Sequence, residues 1–340
     1  MAGKTFGWCL AMAGTTVAMI AACAGADPIV FTERVPYEWE QWAADAGTDG
    51  DAASDGAADG AAASPAPVTQ RTVFPSDSFW NKDVTNEPVD PKGFKYVDAI
   101  GADLPLRAAF GPGDGIPFQY VPATHKKSAV EFRWAGESDP GPYPIPDNPL
   151  VETGPDKHIL MIDQDNWVLY ELFLARFEGG KWKADCGAVF DLKTNKGRPV
   201  GWTSADAAGL AVFPGLVRGD EVFDRKEIHH ALRFTVKATQ RGYVFPATHF
   251  ASDKKDTSLP PMGMWVRLKS NFAIEGFSAA NQVILRALKK HGMILADNGS
   301  NWFLSGAPDP RWRVEELKEL ERVKGKDFEV LKTGDVVTAK

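Results

Sequence analysis

The chain is poor in cysteine, with three in 340 residues, and their positions argue against a disulfide-stabilised fold. Cys9 and Cys23 lie near the N-terminus, and Cys186 stands alone in the rest of the sequence. Stability must therefore come from apolar burial, and the roughly 270 residues after position 70 are enough for a sizeable core.

Common catalytic signatures are absent as well. The chain has no GxSxG, HExxH, CxxC, P-loop or GxGxxG string, which argues against the enzyme classes that depend on those motifs. After residue 22 no apolar run approaches the roughly 18 residues that cross a bilayer, so we expect no membrane-spanning segment there.

A charge excess is missing from most of the chain, although its net charge is −7. Residues 1–70 hold two basic and nine acidic residues, which leaves 36 of each for residues 71–340. A neutral domain has no bulk electrostatic attraction for a polyanion, so we expect no nucleic-acid partner.

The N-terminus predicts an exported lipoprotein. Lys4 precedes an apolar stretch over residues 6–22, and the string IAAC ends at Cys23. An aliphatic residue, two small residues and a cysteine form a bacterial lipobox, which predicts a signal peptide over 1–23 and a lipid on Cys23. An ordinary signal peptide cut nearby is the alternative. We expect the protein on the bacterial cell envelope, facing the periplasm or the outside, with the lipid as its only membrane contact.

Two further regions follow the lipobox. Residues 24–70 are rich in Asp, Ala and Gly, and such a composition cannot bury enough apolar surface to fold, so we predict a disordered tether. Residues 71–340 are predicted to form a single catalytic or glycan-binding domain, and we expect a monomer.

Short strands between turn signals dominate the pattern of the domain. They predict a mainly β fold, an antiparallel β-sandwich with two or so peripheral helices, over 278–291 and 311–323, and long ordered loops. Strands are predicted over residues 118–121, 129–134, 157–163, 167–177, 181–191, 228–236, 243–245, 262–269 and 293–296.

One carboxylate falls on an apolar strand face. Alternation over residues 167–173 places Glu171 with Trp167, Leu169 and Phe173. Burial there raises the pKa of a carboxyl group, as a general acid requires. The structural alternative is an ion pair with an arginine of a neighbouring strand, Arg233 or Arg267.

Two more carboxylates occupy turns. Asp206 closes the string Trp202-Thr203-Ser204-Ala205-Asp206, and Asp297 follows the strand over 293–296. The polar turn suits an ionised Asp206, so Glu171, Asp206 and Asp297 are the predicted catalytic residues. The alternative for the turn is that its side chains bond to their own backbone and cap a short helix over 207–210.

Aromatic and imidazole groups complete the predicted site. Tryptophans beside Asn, Asp or Ser are typical of sugar-binding surfaces, and His230 is predicted on the apolar face of its strand. His230, His249 and an Asp such as Asp253 permit a metal site, but their spacing does not specify one, and we expect no metal or cofactor. The predicted substrate-binding or orienting residues are Trp202, Thr203, Ser204, His230, His249, Asn298 and Trp302.

Several strings resemble a family of secreted bacterial hypothetical proteins: GWTSADAAGL, HALRF, PATHFAS, PPMGMWVRLK and GMILADNGSNWFLSGAPDPRW. The resemblance covers about residues 74–330, and it implies that 71–340 is one unit. It implies no activity and assigns no roles. The residues that it places in the family pattern are Thr203, Ser204, Asp206, His230, His249, Asp297 and Asn298.

These features favour a surface-tethered glycoside hydrolase that acts on an extracellular polysaccharide with two carboxylates. A non-catalytic glycan-binding lipoprotein is the first alternative, and a metal-assisted hydrolase that uses His and Asp is the second. The hydrolase should release cleavage products, and the glycan-binding protein should retain the glycan without cleaving it. The metal-assisted hydrolase should lose activity with a chelator.

The lipid anchor gives the first testable prediction. Replacing Cys23 by serine should release the protein from the membrane fraction without unfolding it, because the lipid is attached through the Cys23 thiol. Fractionation of cells followed by immunodetection measures the effect, with Cys9→Ser as the matched control. A Cys23→Ser protein that stays with the membrane would contradict the lipid-anchor reading.

Overall fold

A computed structural model describes residues 71–339, so the predicted signal peptide, the lipidated Cys23 and the predicted tether lie outside the described range. The strands are β1 (Arg107–Ala108), β2 (Phe118–Val121), β3 (Val130–Phe132), β4 (Ile159–Asp163), β5 (Val168–Phe173), β6 (Arg176–Glu178), β7 (Lys181–Ala184), β8 (Cys186–Asp191), β9 (Leu232–Val236), β10 (Trp265–Leu268), β11 (Met293–Asn298), β12 (Phe303–Leu304) and β13 (Phe328–Val330). The α-helices are α1 (Phe94–Ile100), α2 (Ala279–Lys290) and α3 (Val314–Leu317). A π-helix covers Asp220–Arg225, and 3-10 helices cover Phe79–Asn81, Ala135–Glu137, Phe213–Gly215, Lys318–Arg322 and Gly325–Asp327.

The strands form three mixed sheets. The six-stranded sheet has the order β1-β12-β9-β11-β10-β13, the four-stranded sheet β2-β4-β5-β8, and the three-stranded sheet β3-β7-β6. Each sheet contains at least one parallel pair, for example β9 with β11, β2 with β4, and β3 with β7. The prediction of a mainly β fold is confirmed, and the prediction of purely antiparallel sheets is wrong.

The error has a physical origin. Hairpins are local, and the Gly179-Gly180 pair, which is a hairpin signal in the sequence, joins the antiparallel strands β6 and β7. Parallel strands require long connections, and those leave no turn signal that identifies the partner strand. The connection from β2 to β4, which contains β3, and the connection from β9 to β11, which contains β10 and α2, are of this kind.

Strand β4 of the four-stranded sheet is buried on both faces. All five residues of β4 are buried. Leu160 and Ile162 belong to the main core, which also includes Phe234 of the six-stranded sheet. Ile159 and Met161 point to a second, smaller core on the opposite side. A strand that is covered on both faces reads as a continuous apolar run, which is the case for ILMI in β4.

Helix α2 follows its sequence signals closely. The Ser278 side chain accepts a hydrogen bond from the Asn281 N–H, and Gly292 after the helix has a φ of 70°. The sequence indicates both caps, because serine is favoured at the N-cap and glycine directly after the last helical turn. The second predicted helix, over 311–323, divides into α3 and the 3-10 helix Lys318–Arg322, and α1 lies outside the two predicted helices.

Trp302, one of the predicted substrate-binding residues, is a core residue with no exposed surface. Its ring lies between two phenylalanines, 5.6 Å from Phe234 and 5.5 Å from Phe328, with interplanar angles of 6° and 10°. Its indole N–H donates to the carbonyl of Gly101 at 3.0 Å. A side chain enclosed in this way contacts no ligand, so the sugar-binding interpretation of Trp302 is not supported by its position.

The enclosed ring predicts a large effect on stability. We expect Trp302→Leu to lower the free energy of unfolding by about 3 kcal/mol, because the leucine leaves a cavity and an unpaired Gly101 carbonyl. Chemical denaturation measures the change. The partly exposed Trp182 of β7 gives the control Trp182→Leu, which should have a clearly smaller effect. Equal effects of the two substitutions would show that the ring stack does not stabilise the fold.

Candidate active site

Residues 201–210, the GWTSADAAGL string, form a buried loop between the start of β4 and the end of β11. Its backbone is held from both sides: the Ala205 carbonyl lies 3.0 Å from Nε2 of His158, and the Ala207 carbonyl lies 2.7 Å from Nδ1 of His249. The Ala208 N–H donates to the carbonyl of Ala296 in β11. The loop consists of turns and bends, and the short helix expected over 207–210 is not formed.

The loop's own hydroxyl groups shape it. Thr203 Oγ1 donates to backbone carbonyls of the loop, and Ser204 Oγ lies 2.9 Å from both the N–H and the carbonyl of Asp206. Both side chains are buried. Thr203 and Ser204 therefore serve the local backbone, as the structural alternative for this motif predicted, and present Asp206 to the interior.

Asp206 binds Arg233 in a bidentate ion pair. Asp206 Oδ1 and Oδ2 lie 2.6 and 3.0 Å from Nη2 and Nε of Arg233. The third nitrogen of the guanidinium donates to Ser305 Oγ at 2.6 Å. Both charged side chains are almost completely enclosed, at 0% and 4% exposure. Burial alone would lower the pKa of Arg233, but the Asp206 carboxylate raises it, and the arginine stays charged.

Asp297 reaches the same face of the sheet through a β-bulge. In the pairing of β11 with β9, Ile294 lies beside Arg233, and the register shifts between Leu295 and Asp297. The shift pairs Asp297 with Thr235 instead of Val236, so that its side chain lies on the face that Arg233 occupies.

The setting of Asp297 favours its protonated form. The residue is partly exposed, and Oδ1 accepts a hydrogen bond from the Asn298 N–H at 2.6 Å. Burial and the nearby charge of Asp206 raise the pKa of Asp297 well above its usual range, although Arg233 opposes the shift. Asp206 and Asp297 are thus two carboxyl groups in opposite electrostatic settings.

A second group of polar residues precedes β4. His158 is buried, with Nδ1 2.6 Å from Glu152 Oε2, while its Nε2 faces the Ala205 carbonyl. Burial would lower the pKa of His158, but the carboxylate of Glu152 raises it to about 10. The pKa of Glu152 is lowered, because the charge of His158 outweighs the effect of burial.

Asp156 is the third member of this group and has a different setting. It is partly buried, and no hydrogen bond or ion pair joins its carboxyl group to another side chain within residues 71–339. Burial raises the pKa of Asp156, and the charges of Glu152 and Asp206 act in the same direction.

These residues act on one another electrostatically and form one site, which we call the acid cluster. Four carboxyl groups share two cationic groups, so the cluster carries an excess of potential negative charge. It contains Glu152, Asp156, His158, Asp206, Arg233 and Asp297. Such a site provides both protonated and ionised oxygens within a low-dielectric setting, as acid–base catalysis requires.

The sequence contains a signal for part of this cluster. Glu152, Asp156 and His158 lie within seven residues in a Gly-Pro turn that leads directly into a buried strand. Two carboxylates and an imidazole directly before a buried strand are a sequence pattern that indicates a polar site at the start of that strand. Our sequence reasoning missed Glu152 and Asp156, and it considered Arg233 only as a possible partner of Glu171.

The charges of Asp206 and His158 also act on Glu171, but Glu171 is fully enclosed in the core. Its face was predicted correctly, since Trp167, Leu169 and Phe173 belong to the main core. Both carboxyl oxygens accept hydrogen bonds from the N–H of Val212 at 2.9 and 3.0 Å, and Oε1 accepts a further one from Phe213.

The environment of Glu171 is structural. Burial raises its pKa to about 7, and the two backbone donors oppose the shift. Its side chain has no exposed surface. Neither Arg233 nor Arg267 pairs with it, since those arginines bind Asp206 and Glu329. Glu171 thus fixes the backbone after the loop and is not accessible to a ligand.

His230 belongs to a separate buried network. Its Nε2 lies 2.9 Å from Glu221 Oε2, and its Nδ1 faces the Ala231 carbonyl at 2.9 Å. Arg218 Nη2 contacts the other oxygen of Glu221 at 2.6 Å. Strand β9 begins only at Leu232, so the alternation predicted from residue 228 does not apply to His230.

The remaining predicted residues surround the loop. Besides its contact with Ala207, His249 lies 3.8 Å from Glu137 Oε2, and Asn298 Oδ1 accepts a hydrogen bond from Thr239. Trp202 is partly exposed, and the guanidinium of Arg198 lies 5.3 Å from its ring centre. Of the two tryptophans predicted to bind substrate, Trp202 therefore has accessible surface, and it lies close to Asp206 in the chain.

The chain matches no family model, no curated protein and no solved structure. Within residues 71–339, no helix has the length and apolar character that crossing a membrane requires.

The Glu221 network gives a prediction of pH-dependent stability. Burial would raise the pKa of Glu221, but Arg218 and His230 lower it to about 2, below the roughly 4.3 of an unfolded chain. The stabilisation is complete above about pH 4.3 and is lost as the pH falls towards 2. Glu221→Gln should cost about 3 kcal/mol at neutral pH and flatten that acid dependence.

Denaturant unfolding at a series of pH values tests this expectation. Glu227→Gln is the control, since Glu227 is exposed and its partners His229 and Lys290 are exposed as well. A Glu221→Gln protein with the stability and the acid slope of the original chain would contradict the assignment.

Proposed function

We propose that the protein is a carbohydrate-directed hydrolase with the acid cluster as its catalytic centre and Asp297 as its proton donor. The observation that carries the proposal is the contrast between two neighbouring carboxyl groups. Asp206 is ion-paired with Arg233, whereas the pKa of Asp297 is raised. An ion-paired carboxylate whose charge acts on a carboxyl group with a raised pKa is an arrangement typical of acid–base pairs.

Accessibility divides the roles within the cluster. Asp206 has no exposed surface, so it cannot touch a substrate; it positions Arg233, and its charge keeps the proton on Asp297. Asp297 is partly exposed and can deliver that proton to a leaving oxygen. Asp297 thereby takes the role of acid that the sequence suggested for Glu171.

A glycoside hydrolase needs a second group that activates water or attacks the sugar. Asp156 is the candidate, because it is partly exposed and its carboxyl group is not engaged by another side chain among the described residues. Its charge acts on Asp297, which supports a location in the same cluster.

Two observations support carbohydrate as the substrate class. Trp202 offers aromatic surface in the loop that carries Asp206, and flat aromatic groups beside carboxylates are suited to sugar rings. The domain is electrically neutral, which suits an uncharged substrate better than a polyanion. A shared core between the six-stranded and the four-stranded sheets supports a sandwich-like arrangement, which we retain as part of this proposal.

The cellular setting is proposed on the N-terminal sequence. The lipobox supports export and a lipid on Cys23 that binds the protein to the envelope. The self-contained core supports a monomer. The proposed partner is a polysaccharide. A tether of the composition of residues 24–70 would hold the domain away from the lipid surface and within reach of a glycan.

The proposed acid gives a direct prediction. We expect Asp297→Asn to lower the release of reducing ends from a cleaved polysaccharide by roughly 10²- to 10⁴-fold, because the amide cannot donate a carboxylic proton. The melting temperature should stay the same or rise, since the substitution removes a carboxyl group beside Asp206. The decline of the rate above the pKa of Asp297 should disappear with the acid.

Screening the full-length protein against a polysaccharide panel identifies the substrate for this measurement. Asp191→Asn is the matched control, because Asp191 is also a partly buried aspartate at the end of a strand. Unchanged turnover in Asp297→Asn would refute the proposed acid. Retention of a polysaccharide without any release of reducing ends would instead favour the glycan-binding alternative.

A further inference from the structure

We infer that Glu152, Asp156 and His158 bind a divalent first-row metal ion, such as Mn²⁺ or Zn²⁺. One ligand atom from each residue lies within 4.8 Å of the others. Atoms that share one such ion at roughly 2.0–2.2 Å from the metal lie about 3–4 Å apart. Small side-chain rotations therefore bring all three atoms onto one ion.

His158 is oriented in advance for metal binding. The Ala205 carbonyl can only accept a hydrogen bond, so Nε2 of His158 carries the hydrogen that faces it at 3.0 Å. Nδ1 is then the nitrogen that faces Glu152, and a metal ion would bind there by displacing the proton that Nδ1 shares with the Glu152 carboxylate. A backbone carbonyl on the second ring nitrogen is the usual means by which proteins orient a metal-binding histidine.

The carboxyl group of Asp156 supports a bound cation independently of the histidine. It is partly buried beside Glu152, and it acts electrostatically with Asp206 and Asp297. It makes no side-chain hydrogen bond or ion pair in the described part of the chain. The charges of His158 and Arg233 favour the ionised form of Asp156, but the hydrogen bonds of Arg233 go to Asp206 and Ser305 and none goes to Asp156. A metal ion would give the Asp156 carboxylate a direct cationic partner.

The backbone around the three residues is already fixed. The Glu152 N–H donates to the His158 carbonyl at 2.9 Å, which closes the turn. The carbonyls of Asp156 and Lys157 accept hydrogen bonds from Leu174 and Ala175, at the end of β5. Lys157 has a φ of 48°, and this left-handed residue separates Asp156 from His158. A metal ion would therefore bind a formed turn and would not have to order one.

The ligand set indicates the kind of ion. Two carboxylates and one imidazole suit Mn²⁺, Fe²⁺ or Zn²⁺ better than Ca²⁺ or Mg²⁺, which prefer oxygen ligands alone. Three protein ligands leave coordination positions open for water or substrate. This site differs from the His230, His249 and Asp253 combination considered from the sequence, because His230 is bound to Glu221 and Asp253 is exposed.

The metal site does not rest on the proposed hydrolase activity, and its test uses binding alone. If both proposals hold, the ion would take over the activation of water that was assigned to Asp156. Loss of metal binding would leave the role of Asp297 untouched, and loss of activity in Asp297→Asn would leave the metal site untouched. The two proposals can therefore fail separately.

The experiment is a titration of the full-length protein, after treatment with a chelator, with Mn²⁺ and separately with Zn²⁺. Calorimetry should give one ion per chain, and a thermal melt should show a rise in melting temperature with the ion. Asp156→Asn should weaken the affinity at least about tenfold, as expected for the loss of one ligand. The variant should fold normally, because Asp156 makes no side-chain contact that the fold requires.

Asp147→Asn is the matched control, since Asp147 is an exposed aspartate in the preceding loop. It should bind both ions with unchanged affinity. No binding of either ion, or equal affinity of the Asp156→Asn protein and the control, would overturn the inference. Tighter binding of Ca²⁺ than of Mn²⁺ and Zn²⁺ would also overturn it, because the imidazole would then not be a ligand.

Discussion

The buried ion pair between Asp206 and Arg233 is the constraint around which this structure is arranged. A guanidinium in the middle of a central strand, beneath apolar residues, destabilises a fold by several kcal/mol unless its donors are satisfied. All three of its nitrogens donate hydrogen bonds to Asp206 or Ser305. The loop that carries Asp206 must therefore enter the core, although a loop normally lies at the surface.

The conformation of that loop follows from its task. A buried backbone must have its own hydrogen-bond partners, and the hydroxyls of Thr203 and Ser204 supply some of them. Gly209 has a φ of 71°, and a Cβ there would lie 2.2 Å from Thr248 Oγ1. His158 and His249 hold the carbonyls on either side of Asp206. The polar string thus positions the Asp206 carboxylate beside Arg233.

Two classes of buried charge result, and they differ in how completely they are paired. Glu171 and the Glu221 network have all their charged oxygens engaged, so they contribute to the fold. Asp156 and Asp297 are partly exposed and sit beside like charges, which no folding requirement explains. Incomplete pairing at an accessible position is where proteins commonly place function, and this contrast separates the acid cluster from the rest of the polar interior.

The sequence by itself determined the local features: the mainly β character, the Gly179-Gly180 hairpin, both ends of α2 and the core-facing side of Glu171. These depend on alternation, capping and turn chemistry, which act over a few residues. Only the tertiary structure decided the membership of the acid cluster. Parallel pairing of distant strands brings β9 beside β11, and a one-residue bulge moves Asp297 onto the face of Arg233. Neither leaves a periodic signal in the sequence, because register is set by contacts between segments far apart in the chain.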